Sequence, residues 1–186
     1  MKIHRTKKRI QGFSLVEMMV AISIFTIIMT FGVGALLSTT NAYKSAQNQK
    51  ESMDALAFAL ESMTRDLRTG YNYYSGATDD SNASSTNNGS DDSIGFVASS
   101  NRGYFTYEYD TSNDTIVRTI NDGNAVNLID PEVFEVTGVS FQVQGAEDDN
   151  NQPSVLIRIQ GNPSDKPDDT HLVQTTISQR ALDSYK

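Results

Sequence analysis

One carboxylate, Glu17, stands inside the run from Phe13 to Leu37, which holds no other charge. An ionised carboxylate within an apolar membrane span costs about 2.5–3.5 kcal/mol. An acid one turn into a helix recovers only about 0.3–1 kcal/mol from the macrodipole. The cost exceeds the gain, so Glu17 marks a function. No other charge competes with it: five basic residues, Lys2, Arg5, Lys7, Lys8 and Arg9, all precede the run, with no acid among them.

Other candidate chemistry is thin. The chain has no cysteine, which removes disulfides, thiolate metal sites and a cysteine nucleophile together. It lacks a phosphate-binding glycine loop, GxSxG, HExxH and EF-hand spacing. His171 is the one histidine after the leader; without partner groups it reads as a surface or packing residue. Acidic pairs at Asp79-Asp80, Asp91-Asp92, Asp148-Asp149 and Asp168-Asp169 read as solvated loop charge without ligand spacing, although oxygen ligands of this kind suit Ca²⁺. Tyr104, Tyr107 and Tyr109 read as core or cross-strand residues rather than a binding face. Asn82, Asn88 and Asn113 open N-x-S/T triplets, which we read as chance. No metal, no cofactor and no catalytic residue is expected, so the chain is not read as an enzyme.

The elements that hold Glu17 follow from periodicity. A helix over Phe13–Leu37 is roughly 37 Å long at 1.5 Å per residue, enough to cross a hydrocarbon core of about 30 Å. The basic cluster before it predicts a cytoplasmic N-terminus and an exported remainder. Gly32 and Gly34 each weaken the helix by about 1 kcal/mol. The helix is expected to continue from Asn41 to Gly70, which contains no proline. Met53, Leu56, Leu60, Met63 and Leu67 form an apolar stripe with Ala46, Ala57 and Phe58 nearby, and Lys50, Glu51, Asp54, Glu61 and Arg65 take the other side. Gly70 is the expected C-cap. Residues 77–93, rich in Ser, Asn, Asp and Gly, read as a mobile loop. Strands follow at Tyr104–Tyr109, Thr115–Ile120, around Val139–Val143, Val155–Ile159 and Leu172–Ile177, the first two joined as a hairpin through Thr111–Asp114. The fold class is therefore α+β: one long N-terminal helix whose amphipathic half covers an antiparallel sheet. The expected division is a basic leader, 1–12, a membrane half of the helix, 13–40, and a soluble head, 41–186.

Charge agrees with this division. The whole chain carries −8; without the five basic residues of the leader, 10 basic residues face 23 acidic ones, a net of −13. A basic head end and an acidic remainder suggest membrane targeting and disfavour a nucleic-acid partner.

Gly12-Phe13-Ser14-Leu15-Val16-Glu17 reads GFSLVE between the basic leader and the apolar run. It resembles the class III signal of type IV prepilins and type II secretion pseudopilins. The resemblance implies cleavage between Gly12 and Phe13 by a prepilin peptidase, N-methylation of Phe13, and pairing of Glu17 with the N-terminal amine of a neighbouring subunit's first residue. A secretory signal peptide is cut after its apolar core; here the recognisable site lies before it, so the apolar helix is kept for assembly. The segments ESMTRDLRTGYNY, VTGVSFQVQG and HLVQTTISQRALD are similar to J-type pseudopilins and PilW-like minor pilins. The resemblance implies a minor subunit that aids filament initiation. Its partners would be other pilin or pseudopilin subunits, the prepilin peptidase, an inner-membrane assembly platform and a cytoplasmic assembly ATPase. It would sit first in the cytoplasmic membrane, as a single-pass protein, and then in a surface or periplasmic filament. The alternatives are a filament-displayed adhesin or binding subunit and a single-pass anchored enzyme.

Overall fold

In a computed structural model the residues described are 12–77, 79, 81, 86–98, 103–146 and 152–180. The leader basics Lys2 to Arg9 lie outside the described residues, as do Asp80, Asn82, Asp148 and Asp149 and part of the expected 77–93 loop. One helix, α1, runs from Leu15 to Thr69, through Gly32 and Gly34. The chain divides into two compact units, Met1–Ala46 and Gln47–Lys186.

In the first unit the apolar run is helical, and its apolar side chains, from Phe13 to Leu37, are exposed. It is apolar all round, so no single face can be turned inward. Its hydroxyls are satisfied locally: Ser23, Thr26 and Thr30 each donate to the carbonyl four residues back at 2.8 Å.

Among the described residues the second unit holds the rest of α1 and nine strands in two antiparallel sheets, where the sequence reading anticipated one sheet of five. The first sheet contains β1 (Tyr71–Ser75), β3 (Ser93–Ala98), β4 (Gly103–Asp110), β5 (Thr115–Ile120) and β6 (Val126–Asn127), in the order β1-β3-β4-β5-β6. The second contains β2 (Gly89–Asp91), β7 (Phe134–Gln144), β8 (Ser154–Pro163) and β9 (His171–Ser178), in the order β2-β7-β8-β9. The β4–β5 hairpin turns at Thr111–Asp114 as expected, held by the Asp110 carboxylate, which accepts from the Ser112 N–H and the Asn113 amide.

One hydrophobic cluster joins α1 to both sheets: Leu56, Ala59, Met63 and Leu67 on the helix, Phe96, Phe105 and Tyr107 from the first sheet, Phe141 and Ile157 from the second. Phe58 is not part of it. It is 68 % exposed, and Ala57 is exposed too. At 3.6 residues per turn Phe58 lies roughly 120° from the centre of the buried stripe, which is set by Ser52, Leu56, Ala59, Met63 and Asp66. The charged side chains Lys50, Glu51, Asp54, Glu61 and Arg65 are exposed as read. So is Arg158, between the buried Ile157 and Ile159.

Two expectations need correction. Residues 89–91 and 93 pair in β2 and β3 rather than forming loop. A backbone ladder needs no large side chain, and here it is braced by Asn88, whose side-chain oxygen accepts the Ala146 N–H at 3.0 Å. Gly70 does follow the helix directly, but it is not among the residues with positive φ. Its small size is required for a different reason: a Cβ there would meet Phe96 Cδ2 at 2.4 Å. The Gly70 N–H bonds the Leu67 carbonyl at 3.1 Å, and the Tyr73 hydroxyl adds to this cap by reaching the carbonyls of Leu67 and Gly70.

Candidate functional site

Gly12, Phe13 and Ser14 lead into α1, and all three are exposed, Phe13 at 78 %. The Ser14 carbonyl accepts the Met18 N–H at 3.2 Å, so Ser14 is the residue from which the helix starts. Glu17 falls in the first turn. Ser14-Leu15-Val16-Glu17 has the S-x-x-E spacing of a capping box, a start signal that the sequence reading passed over. The reciprocal side-chain bonds of that box are not made among the described residues, and no hydrogen bond or ion pair reaches the Glu17 carboxylate there. The contrast with Ser23, Thr26 and Thr30 is informative. Those hydroxyls satisfy themselves on their own helix, whereas the Glu17 carboxylate meets no donor among the described residues. On a helical wheel Glu17 shares a face with Ala21, Ile24 and Ile28, and the hydroxyls lie on the opposite face.

Gly12, Phe13 and Glu17 are thus brought together at the mouth of one exposed apolar helix. Gly12 and Phe13 are exposed on both sides of the bond that joins them. The helix is long and apolar enough to cross a membrane, and the protein buries none of its apolar stretch. The Glu17 carboxylate lies one turn in, exposed.

A second polar cluster, missed in the sequence, lies inside the head. Asp66 is 2 % exposed. It accepts from the Tyr107 hydroxyl at 3.0 Å and lies 3.5 Å from an Arg118 guanidinium nitrogen. Arg118 in turn stands over the Phe105 ring, 5.9 Å from its centroid. Burial, followed by the negative charge of Asp66, pushes the Tyr107 phenol above its ordinary range, so Tyr107 acts as a donor throughout. This carboxylate, phenol and guanidinium tie the last turns of α1 to β4 and β5. We assign them to structure. A reader of the sequence could have found Asp66 from its place on the stripe: it is three residues after Met63 and seven after Ala59.

An acidic groove of about 390 Å³ lies beside Asn48, Glu51, Asp130, Glu132 and Asp165. Asn48 donates to Asp165 at 3.0 Å, and Ser52 donates to the Val133 carbonyl at 3.0 Å. Among the described residues no group of three or more His, Asp or Glu side chains is placed to hold a metal ion. His171 opens β9, with Nε2 3.8 Å from Asp169. Tyr104 and Tyr107 are buried, as a core reading requires, and Tyr109 is half-buried.

Comparison with known proteins bears on the first site alone. Residues 7–33 match the prokaryotic N-terminal methylation motif. Searches of curated proteins and of solved structures return no match. The matched residues span the end of the basic leader, Gly12, Phe13, Glu17 and the apolar helix up to Val33. The motif is of a structural rather than an enzymatic kind, and it supports a pilin-like protein anchored in a membrane through its N-terminal helix. The chain carries a type IV prepilin-like class III signal.

Proposed function

We propose that the chain is a minor pilin or pseudopilin, cut between Gly12 and Phe13 by a prepilin peptidase and methylated on the new Phe13 amine. In this reading residues 1–12 are the leader, 13–40 the membrane and assembly segment, and 41–186 the exported head. The leader stays on the cytoplasmic side, as its basic residues favour. Glu17 then accepts the Phe13 ammonium of a neighbouring subunit inside the filament core, with the assembly platform and its ATPase driving insertion. Methylation leaves that amine charged, so the pairing survives modification. The observation that carries the reading is the bare helix mouth: an exposed Gly12–Phe13 bond, then one carboxylate, unpaired among the described residues, at the head of an apolar helix that the protein does not cover.

The test is the intact mass of the chain recovered from membranes. A loss of the 12-residue leader with a gain of one methyl group is expected; a mature chain beginning beyond Leu37 would sink the reading. Glu17→Ala should insert as well as the natural chain, yet enter filaments on the order of a hundredfold less, because the neighbour's amine is left buried without a partner at about 3–5 kcal/mol. Its relative abundance in purified filaments decides the minor role: a chain that dominates the mass is a major subunit.

A further inference from the structure

Four strands end the two sheets: β1, β6, β2 and β9. Three of them are guarded. β1 is bulged between Tyr71 and Tyr74, with Asn72 at φ 55°. Asn87 also covers part of it, donating its N–H to the Tyr73 carbonyl at 3.1 Å and bonding both backbone groups of Ser75 through its side chain. β2 has 3 residues and β6 has 2. Shortness, bulges and covering groups are the usual devices that stop a sheet edge from pairing with another chain. β9 uses none of them. It is 8 residues long and pairs with β8 without a register shift. Residues 172–178 contain no charge, proline or glycine. Among the described residues no hydrogen bond reaches its outer edge.

The solvent face beside this edge is also unusual for the chain. Cross-strand rows Ser140–Arg158–Gln174 and Gln142–Leu156–Thr176 hold no carboxylate, although the whole chain carries −8. Leu172 on the same face is 64 % exposed. Few charges, with arginine retained, is the composition of an interface interior. The two ends of β9 differ in sign: Asp168 and Asp169 precede it and Arg180 follows it.

We infer that β9 takes the β9 of a second copy of this chain as an additional antiparallel strand. The orientation continues the antiparallel pairing of both sheets. The incoming segment is uncharged along its paired length. It is basic at its C-terminal end, which lies beside Asp168 and Asp169, and acidic at its N-terminal end, which lies beside Arg180. Backbone bonds supply the affinity, and alternate side chains, meeting Leu172, Gln174 and Thr176 on the open face, supply the selectivity. This inference rests on the head alone and is independent of the N-terminal signal.

The test uses the full-length chain in detergent micelles and a synthetic peptide of residues 168–180. Laid antiparallel, that peptide brings its own Arg180 end beside Asp168 and Asp169 of the protein. Hydrogen exchange at alternate β9 amides is expected to slow by about tenfold or more when the peptide is added, with β1 amides unchanged. The Gln174→Lys, Thr176→Lys double variant alters only exposed side chains, so its circular dichroism should match the natural chain, while peptide affinity falls roughly tenfold. A peptide with the two aspartates and the arginine exchanged in sign should bind more weakly than the first. No slowing at β9, or equal slowing with a scrambled peptide, overturns the proposal. Gln174→Cys, in this cysteine-free chain, sets one thiol from each copy face to face at the centre of the pair: a disulfide-linked dimer is expected on oxidation without peptide, and a chain that stays monomeric overturns the proposal.

Discussion

The two halves of α1 are built from the same apolar residue types and meet opposite fates. From Leu15 to Leu37 the side chains are apolar on every face and exposed. From Ser52 to Leu67 they form one stripe, and that stripe is buried under two sheets. Helix propensity cannot distinguish the halves, since one unbroken helix contains both. Pattern does. A one-sided stripe can be satisfied by the rest of the chain, whereas an all-round surface needs a solvent or partners from outside. The polar groups divide in the same way. Asp66 finds its hydrogen-bond donor and its cation within the head, and Glu17 finds neither among the described residues.

The comparison can be broken most directly by truncating one residue from each half. Met63→Ala removes a fully buried side chain and should lower head stability by about 2–5 kcal/mol, read from urea unfolding in detergent. Met19→Ala removes an exposed one and should leave that unfolding curve unchanged. Loss of head stability in Met19→Ala would mean that the apolar half is folded against protein after all.

A smaller effect separates charge from shape inside the head. Asp66→Ala leaves Tyr107 and Arg118 without their acceptor and should cost about 3 kcal/mol. Asp66→Asn keeps an acceptor for the Tyr107 hydroxyl and gives up only the charge, so about 1 kcal/mol is expected. Equal costs for the two variants would show that the Arg118 contact, rather than the hydrogen bond, holds the helix end.

Much of this was legible in the residues. The uncovered helix, the stripe from Met53 to Leu67, the β4–β5 hairpin and the alternation around Arg158 all depend on local periodicity, which a single sequence displays. The misreadings share a different cause. β2 and β3 begin in a stretch of Asn, Ser, Gly and Asp whose pairing is backbone to backbone, β2 with β7, distant in the chain, and β3 with the next strand, β4. β3 itself needs a glycine in its middle: a Cβ at Gly95 would fall on the Tyr104 hydroxyl. Phe58 looked like core because apolar residues cluster around it, but angle on the helix decides burial. At Gly70 the position was legible and the reason was not, because nothing local announces the Phe96 ring that fills the space.

The smallest effect sharpens the contrast between carboxylates that meet a partner and those that meet each other. Asp92 and Glu108 lie where β3 and β4 pair, with Ser93 opposite Glu108 and the Asp92 carbonyl accepting the Tyr109 N–H. Burial, then the hydrogen bond and charge of Asp91, raises Asp92 above the ordinary carboxylate range. Burial, then the charges of Asp92 and Asp110, raises Glu108. A carboxylate that is harder to ionise in the folded chain binds more protons there than in the unfolded one. Stability therefore falls as pH rises from the ordinary range, about 4, through the raised values, and the penalty is fully present above them. Asp92→Asn removes the penalty at neutral pH. The melting temperature at pH 7 should rise, though by less than the roughly 2–4 °C that a full 1 kcal/mol would give a domain of this size, because both groups are largely solvated and screened. Below about pH 4 the natural Asp92 is itself protonated, and the two melting curves should converge. A variant that melts lower than the natural chain at pH 7 would show that these carboxylates stabilise the head when charged, the opposite of what their crowding implies.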